Sequence, residues 1–147
     1  MVIKISVSAV ILAGGKNTRI LGEEKAFLEI EGRPIIARII EKLKTYAREV
    51  ILVTNSSFDK YSKFVAADKA KLVKDEIPNK GPLMGIYSGL KASAFHYSFI
   101  VACDMPFINE ALIRHMIVSI DNYDVIIPKI DEKFHPLFGI YSKNCIP

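Results

Sequence analysis

Residues 12–25 hold the densest chemistry in the chain: Leu12-Ala13-Gly14-Gly15-Lys16-Asn17-Thr18-Arg19, then Gly22 and Lys25. They follow directly on the apolar run Val7–Leu12. A buried strand that empties into a glycine pair and then into spaced cations is suited to holding a polyphosphate. Glycine lets the backbone approach a ligand and present successive N–H groups to an anion. Arg19 and Lys25 add charge that a neutral loop lacks. A glycine pair alone reads as a tight turn; the two cations make nucleotide handling the leading reading.

A second group, Cys103-Asp104-Met105-Pro106, follows another apolar run, Ser98–Ala102. A carboxylate at the end of a buried strand suits Mg²⁺, which takes hard oxygen ligands and usually shares them with substrate phosphates. The competing reading of Asp104 is a turn former before proline. A third group runs from Asp75 to Gly85 and contains Pro78, Gly81-Pro82 and Gly85, either a rigid loop shaped to a ligand or simply a loop. Asn55, just past the run Val50–Val53, reads as a turn residue or a donor to a base or ribose.

Spacing excludes two common phosphate motifs. Gly14 and Gly15 are adjacent and the next glycine is Gly22, which does not fit Gly-x-Gly-x-x-Gly. Gly15-Lys16 is followed by Asn17, where a Walker loop needs Ser or Thr.

The elements that must position these groups alternate. Val7–Leu12, Val50–Val53, Lys71–Lys74, Ser98–Ala102, Val125–Pro128 and Phe138–Tyr141 read as strands, with Phe27–Ile30 a short extended piece. Pro34–Tyr46 carries Ile35, Ile36, Ile39, Ile40 and Leu43 at helical spacing. Phe58–Ala67, Leu83–Ala94 and a segment capped by Asn109 and running to Ser119 complete the helices. Such alternation predicts an α/β fold, a mostly parallel sheet with helices on both faces. Ligands in such sheets lie at the carboxyl ends of the strands, where each of the groups above falls.

The chain has 147 residues, half of them hydrophobic and a quarter charged, so a single folded core is expected rather than disorder. The net charge of +4 is spread over dispersed lysines, with no basic block to suggest nucleic acid. Cys103 and Cys145 have neither disulfide-framework nor zinc spacing, and Cys103 reads as core. No run approaches the roughly 18 apolar residues of a membrane span, so a soluble, cytoplasmic setting is the default.

Taken in order, Leu12-Ala13-Gly14-Gly15-x-x-x-Arg19…Lys25, Asp75…Gly81-Pro82-Leu83-Met84-Gly85, Cys103-Asp104-Met105-Pro106-Phe107 and His135-Pro136-Leu137-Phe138-Gly139-x-Tyr141 resemble the molybdenum cofactor guanylyltransferase family over nearly the whole chain. The first motif is shared widely among nucleotidyltransferases; the Gly-Pro-Leu and His-Pro-Leu segments are narrower.

The resemblance implies a Rossmann-like three-layer α/β/α sandwich of nucleotidyltransferase type. The implied activity is transfer of GMP from GTP to molybdopterin, releasing pyrophosphate. Leu12, Ala13, Gly14 and Gly15 would line the nucleotide, Asn55 and Asp75 would meet the guanosine part, and Arg19 and Lys25 would counter phosphate charge. Asp104 would hold Mg²⁺. Other molybdenum-cofactor biosynthesis proteins are candidate partners. His135 is divided between a structural turn and an acceptor-side role.

Glu24 and Met84 depart from the family pattern. Family members also continue past this point, so 1–147 is expected as a single nucleotidyltransferase domain, either shortened or lacking the C-terminal part. Two other readings stand beside the first. One is a related enzyme with another base or acceptor, such as a molybdopterin cytidylyltransferase or a sugar-phosphate nucleotidyltransferase. The other is a nucleotide-binding module without turnover.

Overall fold

Apolar side chains on both faces of a strand require cover on both sides, and Val7–Leu12 is buried from Val7 to Ile11. The structure, a computed structural model, describes residues 6–13, 19–68, 70–78, 80–105 and 107–147. Its main sheet contains β1 (Val7–Leu12), β2 (Glu49–Thr54), β3 (Lys71–Lys74), β4 (Tyr97–Ala102), β5 (Val125–Ile126) and β6 (Phe138–Ser142) in the order β3-β2-β1-β4-β6-β5. β3, β2, β1 and β4 are mutually parallel. β6 runs antiparallel to β4 and to β5.

Strand alternation splits the core in two. Ala9, Ile11, Leu52, Phe99 and Val101 share one apolar cluster with Ile36, Ile39 and Ile40 of α1 (Ile35–Tyr46), Tyr61 of α2 (Phe58–Asp68) and Ile113 of α4 (Glu110–Val118). Val10, Ile51, Val53 and Ile100 face the other way, onto Ile86 and Leu90 of α3 (Pro82–Ala92). The result is the expected three-layer α/β/α sandwich. α3 sits close to the sheet because Gly89 faces β1: a Cβ there would come within 2.4 Å of Val10 Cγ1.

Element ends follow local chemistry. Asn109 Oδ1 accepts from Leu112 N at 3.0 Å and caps α4 as the sequence predicts. Pro34 precedes the first residue of α1, its fixed φ leading into the helix. Among the described residues no helix is long and apolar enough to cross a membrane.

Three details correct the expectations. Phe27–Ile30 is not one extended piece: Lys25–Phe27 is a 3₁₀ turn, and only Glu29–Ile30 is strand. Val125–Pro128 shortens to Val125–Ile126. Three small hairpins were not legible: Arg19–Ile20 with Glu23–Glu24, Glu29–Ile30 with Arg33–Pro34, and Lys129–Ile130 with Lys133–Phe134. Each closes through a two-residue loop whose residues both have positive φ: Leu21 and Gly22, Glu31 and Gly32, Asp131 and Glu132. Such loops normally advertise themselves as Asn-Gly or Asp-Gly. Leu21, Glu31 and Glu132 hide the signal.

Candidate nucleotide site at the carboxyl edge of the sheet

Chain order reverses between β1 and β4: from β1 the chain moves outward to β2 and β3, then returns over α3 to β4. A crevice opens where neighbouring strands send their following loops in opposite directions. Hydrogen bonds hold the edge together up to that point. Ala13 N donates to Val53 O at 2.8 Å, and Cys103 N donates to Leu12 O at 3.0 Å. Ala13 and Cys103 are both buried, Cys103 as the core residue expected.

The residues singled out by sequence fall on this edge. Leu12 ends β1 and Ala13 follows it, Asn55 follows β2, Asp75 follows β3 and Asp104 follows β4. Asp75 N donates to Thr54 O at 3.1 Å, tying the β3 exit to the β2 exit. Lys25 opens the 3₁₀ turn and reaches across the chain: its Nζ lies 3.8 Å from Asp104 Oδ2. Both side chains remain partly exposed, so a ligand can reach either. Gly14 and Gly15 lie outside the described residues. Of Arg19 only the backbone is described, paired with Glu24 in its hairpin.

Asp75 is a half-buried acid at this edge. Its Oδ1 is buried and has no hydrogen-bond partner among the described residues. Burial raises its pKa above the ordinary 3.8, with the nearby Ser88 hydroxyl pulling weakly the other way. Gly85, one turn into α3, keeps this corner open. A Cβ there would stand 3.7 Å from Asp75 Oδ1 and 3.0 Å from Leu12 Cδ2. The glycine of the Gly-Pro-Leu-Met-Gly segment therefore leaves the room that Asp75 and Leu12 share.

One residue of this edge was seen by sequence only as a departure. Glu24 is 5 % exposed, next to Lys25, and accepts hydrogen bonds from Ser57 Oγ at 2.8 Å and Ser56 Oγ at 3.2 Å. It therefore joins the loop after β2, which holds Asn55, to the turn that presents Lys25. Ser57 is held at φ 53°, a conformation serine seldom adopts. No spacing rule predicts this; a lone acid beside a lysine reads as surface until its burial is known.

Among the described residues no three His, Cys, Asp or Glu gather as a ready-made metal cage. A hard divalent cation at this edge would rest on the Asp104 carboxylate and complete its shell from phosphate oxygens and water, the donor set Mg²⁺ takes readily. His135 lines a cavity next to the Asp104 turn, together with Met105 and Asn109.

A family model for the MobA-like NTP transferase domain matches residues 9–147. A protein of Desulfosudis oleivorans named molybdenum cofactor guanylyltransferase is 35% identical over 142 residues, covering 96% of this chain and 68% of that protein. This chain belongs to the molybdenum cofactor guanylyltransferase family. A family member from Clostridium perfringens is 42% identical over 141 residues, with 96% of this chain and 68% of the relative covered. The chain thus spans about two thirds of the length of these guanylyltransferase relatives.

Solved structures agree on the fold. A nucleotidyl transferase from Methanothermobacter thermautotrophicus superposes with a TM-score of 0.80 at 18% identity, over 95% of this chain and 73% of that one. The molybdopterin-guanine dinucleotide biosynthesis protein A of Archaeoglobus fulgidus gives 0.73 at 24%, over 94% and 68%. The nucleotidyltransferase fold expected from the sequence is the one observed.

Proposed function

We propose that this chain transfers GMP from GTP to molybdopterin, forming the guanine dinucleotide and releasing pyrophosphate, with Mg²⁺ at Asp104, in the cytoplasm. The observation that carries the reading is the meeting of Lys25 and Asp104 across the β1–β4 crevice. A cation and a carboxylate far apart in sequence are held together at the carboxyl edge of the sheet, where ligands bind in folds of this kind. Family membership supports guanylyl transfer to a molybdenum cofactor, the activity in the relatives' names.

In the proposed reaction an oxygen of the acceptor's terminal phosphate attacks the α-phosphorus of GTP. The bond from that phosphorus to the bridging oxygen of the β-phosphate breaks, and its electron pair leaves with pyrophosphate. The nucleophile is ionised at neutral pH, so no Ser, His or Cys nucleophile is needed. Two anions must be brought together, and the work is positioning and charge compensation. Lys25 and Arg19 lower the repulsion. Bound Mg²⁺ would supply Lewis-acid neutralisation of the phosphates, with Asp104 as its protein ligand. Leu12, Ala13, Gly14 and Gly15 would line the nucleotide, and Asn55 and Asp75 would meet its guanosine half.

Thermal shifts with GTP, CTP, UTP and ATP in the presence of Mg²⁺ test the base, and pyrophosphate release on adding molybdopterin tests transfer. GTP is expected to stabilise most. Asp104→Ala should lower turnover by about a thousandfold or more while the far-UV CD spectrum is unchanged. Preferential stabilisation by CTP, or full activity in Asp104→Ala, would reject the assignment.

A further inference from the structure

Ser88 lies within α3 and is only 2 % exposed. A hydroxyl so deeply buried is costly unless its hydrogen-bonding capacity is used. One side of it is: the backbone N–H of Glu76 donates to Ser88 Oγ at 3.2 Å. A hydroxyl that accepts still has its own proton to give. Asp75, the residue before Glu76, carries a buried Oδ1 with no hydrogen-bond partner among the described residues. Gly85, one turn before Ser88 on the same helix face, borders that oxygen. That face of α3 therefore meets the acid with a bare glycine and a hydroxyl.

We infer that Ser88 is a positioning residue: its hydroxyl donates to the inward side of the Asp75 carboxylate and fixes that group with its other oxygen toward the nucleotide crevice. The inference rests on the reading of Asp75 as a contact of the guanosine half. The main chain here is already anchored on both sides, by Asp75 N on Thr54 O at 3.1 Å and by Glu76 N on Ser88. What remains free is rotation of the Asp75 side chain, and a donor from α3 removes that freedom. The balance of charge agrees. Burial raises the pKa of Asp75, and Ser88 is the side chain that lowers it, so the hydroxyl favours the ionised, accepting form. The neighbouring acid does not compete, since Glu76 pairs with Lys91 at the surface. A bland reading stands against this one: Ser88 staples the Glu76 backbone and does nothing more.

Calorimetric titration of the whole chain with GTP and Mg²⁺, over roughly pH 5–8, separates the two. Ser88→Ala should weaken GTP binding about tenfold near neutral pH. On acidification its affinity should begin to fail at a higher pH than that of wild type, because the carboxylate has lost the donor that favours its charge. In Asp75→Ala, which has no carboxylate to position, adding Ser88→Ala should change affinity by less than about twofold. Ser88→Cys keeps the volume with a weaker donor and should fall between wild type and Ser88→Ala. Wild-type affinity in Ser88→Ala overturns the inference, and so does an unshifted acid limb. An undiminished loss in the Asp75→Ala background overturns it as well, leaving Ser88 a backbone staple. If Ser88→Ala does not fold by far-UV CD, Ser88→Cys carries the same three comparisons. Failure of these comparisons in a chain that binds GTP leaves the nucleotide reading standing. Failure of wild type to bind GTP defeats that reading and this inference with it.

Discussion

At the scale of residues, the candidate site depends on a buried carboxylate that contacts no ligand in any reading of the reaction. Glu24 receives hydroxyl hydrogen bonds from both Ser56 and Ser57, so the strained Ser57 backbone and the Lys25 turn move as one piece. Hydrogen bonds to a charged group contribute about 1.5–3 kcal/mol each. In Glu24→Gln the charge is lost and Lys25 is less well placed. The KM for GTP should rise about tenfold with kcat within about twofold. Ser57→Ala should move KM in the same direction by less, and the pair of substitutions should combine less than additively in a double-mutant cycle. Steady-state kinetics on the three variants decide the matter; a loss of kcat at constant KM would make Glu24 something other than a positioning residue.

Elements are secured at the opposite edge of the sheet. Glu49 opens β2; its Oε1 accepts from Ser8 Oγ at 2.5 Å and Ala94 N at 2.6 Å, and its Oε2 from Lys71 Nζ at 2.9 Å. One carboxylate thus pins the starts of β1 and β3 and the chain just after α3. Burial pushes its pKa up, but the hydrogen bonds from Ser8 and Ala94 and the Lys71 charge outweigh it and hold the group below its ordinary 4.5. An acid with a lowered folded-state pKa binds its proton more readily in the unfolded chain, so its stabilisation is complete above pH 4.5 and is lost as pH falls through the folded value. Glu49→Gln should therefore cost about 1–3 kcal/mol near pH 7. The difference from wild type should narrow steadily in urea titrations taken below pH 4.5; a pH-independent gap would assign the effect to packing. The helix and strand set was largely legible because a continuous apolar run marked β1 and a period of 3.6 marked α1. The hairpins were not, because positive φ fell on Leu21, Glu31 and Glu132 rather than on glycines alone.

Taken whole, the molecule is one sheet with two apolar faces that share every central strand. β1 places Ala9 and Ile11 in one cluster and Val10 in the other, so neither layer can be lost alone. Urea unfolding followed by far-UV CD and by tyrosine fluorescence should give a single coincident transition; two midpoints would divide residues 1–147 into separate units. The placement of the candidate residues was legible at this scale because motif order maps onto strand ends: Leu12 ends a strand, and Asn55, Asp75 and Asp104 follow strands, of one parallel set. What the sequence withheld was three-dimensional pairing. The Lys25–Asp104 contact, the burial of Glu24 and the cavity behind Met105 all depend on residues far apart in sequence, which no local spacing encodes.

The placement of β4 beside β1 also has a meaning in time. Val7 pairs with Tyr97 and Leu12 with Ala102, so the centre of the sheet closes only when segments some ninety positions apart have met. Contacts of such range are slow to form because a long loop must be ordered before they stabilise anything. β1, α1 and β2 can associate earlier as a local unit, yet they hold only half a crevice. Lys25 then waits for Asp104. On the proposed reading of Lys25 and Asp104, a refolding chain is expected to gain GTP affinity only when that strand inserts, which stopped-flow nucleotide binding during refolding checks.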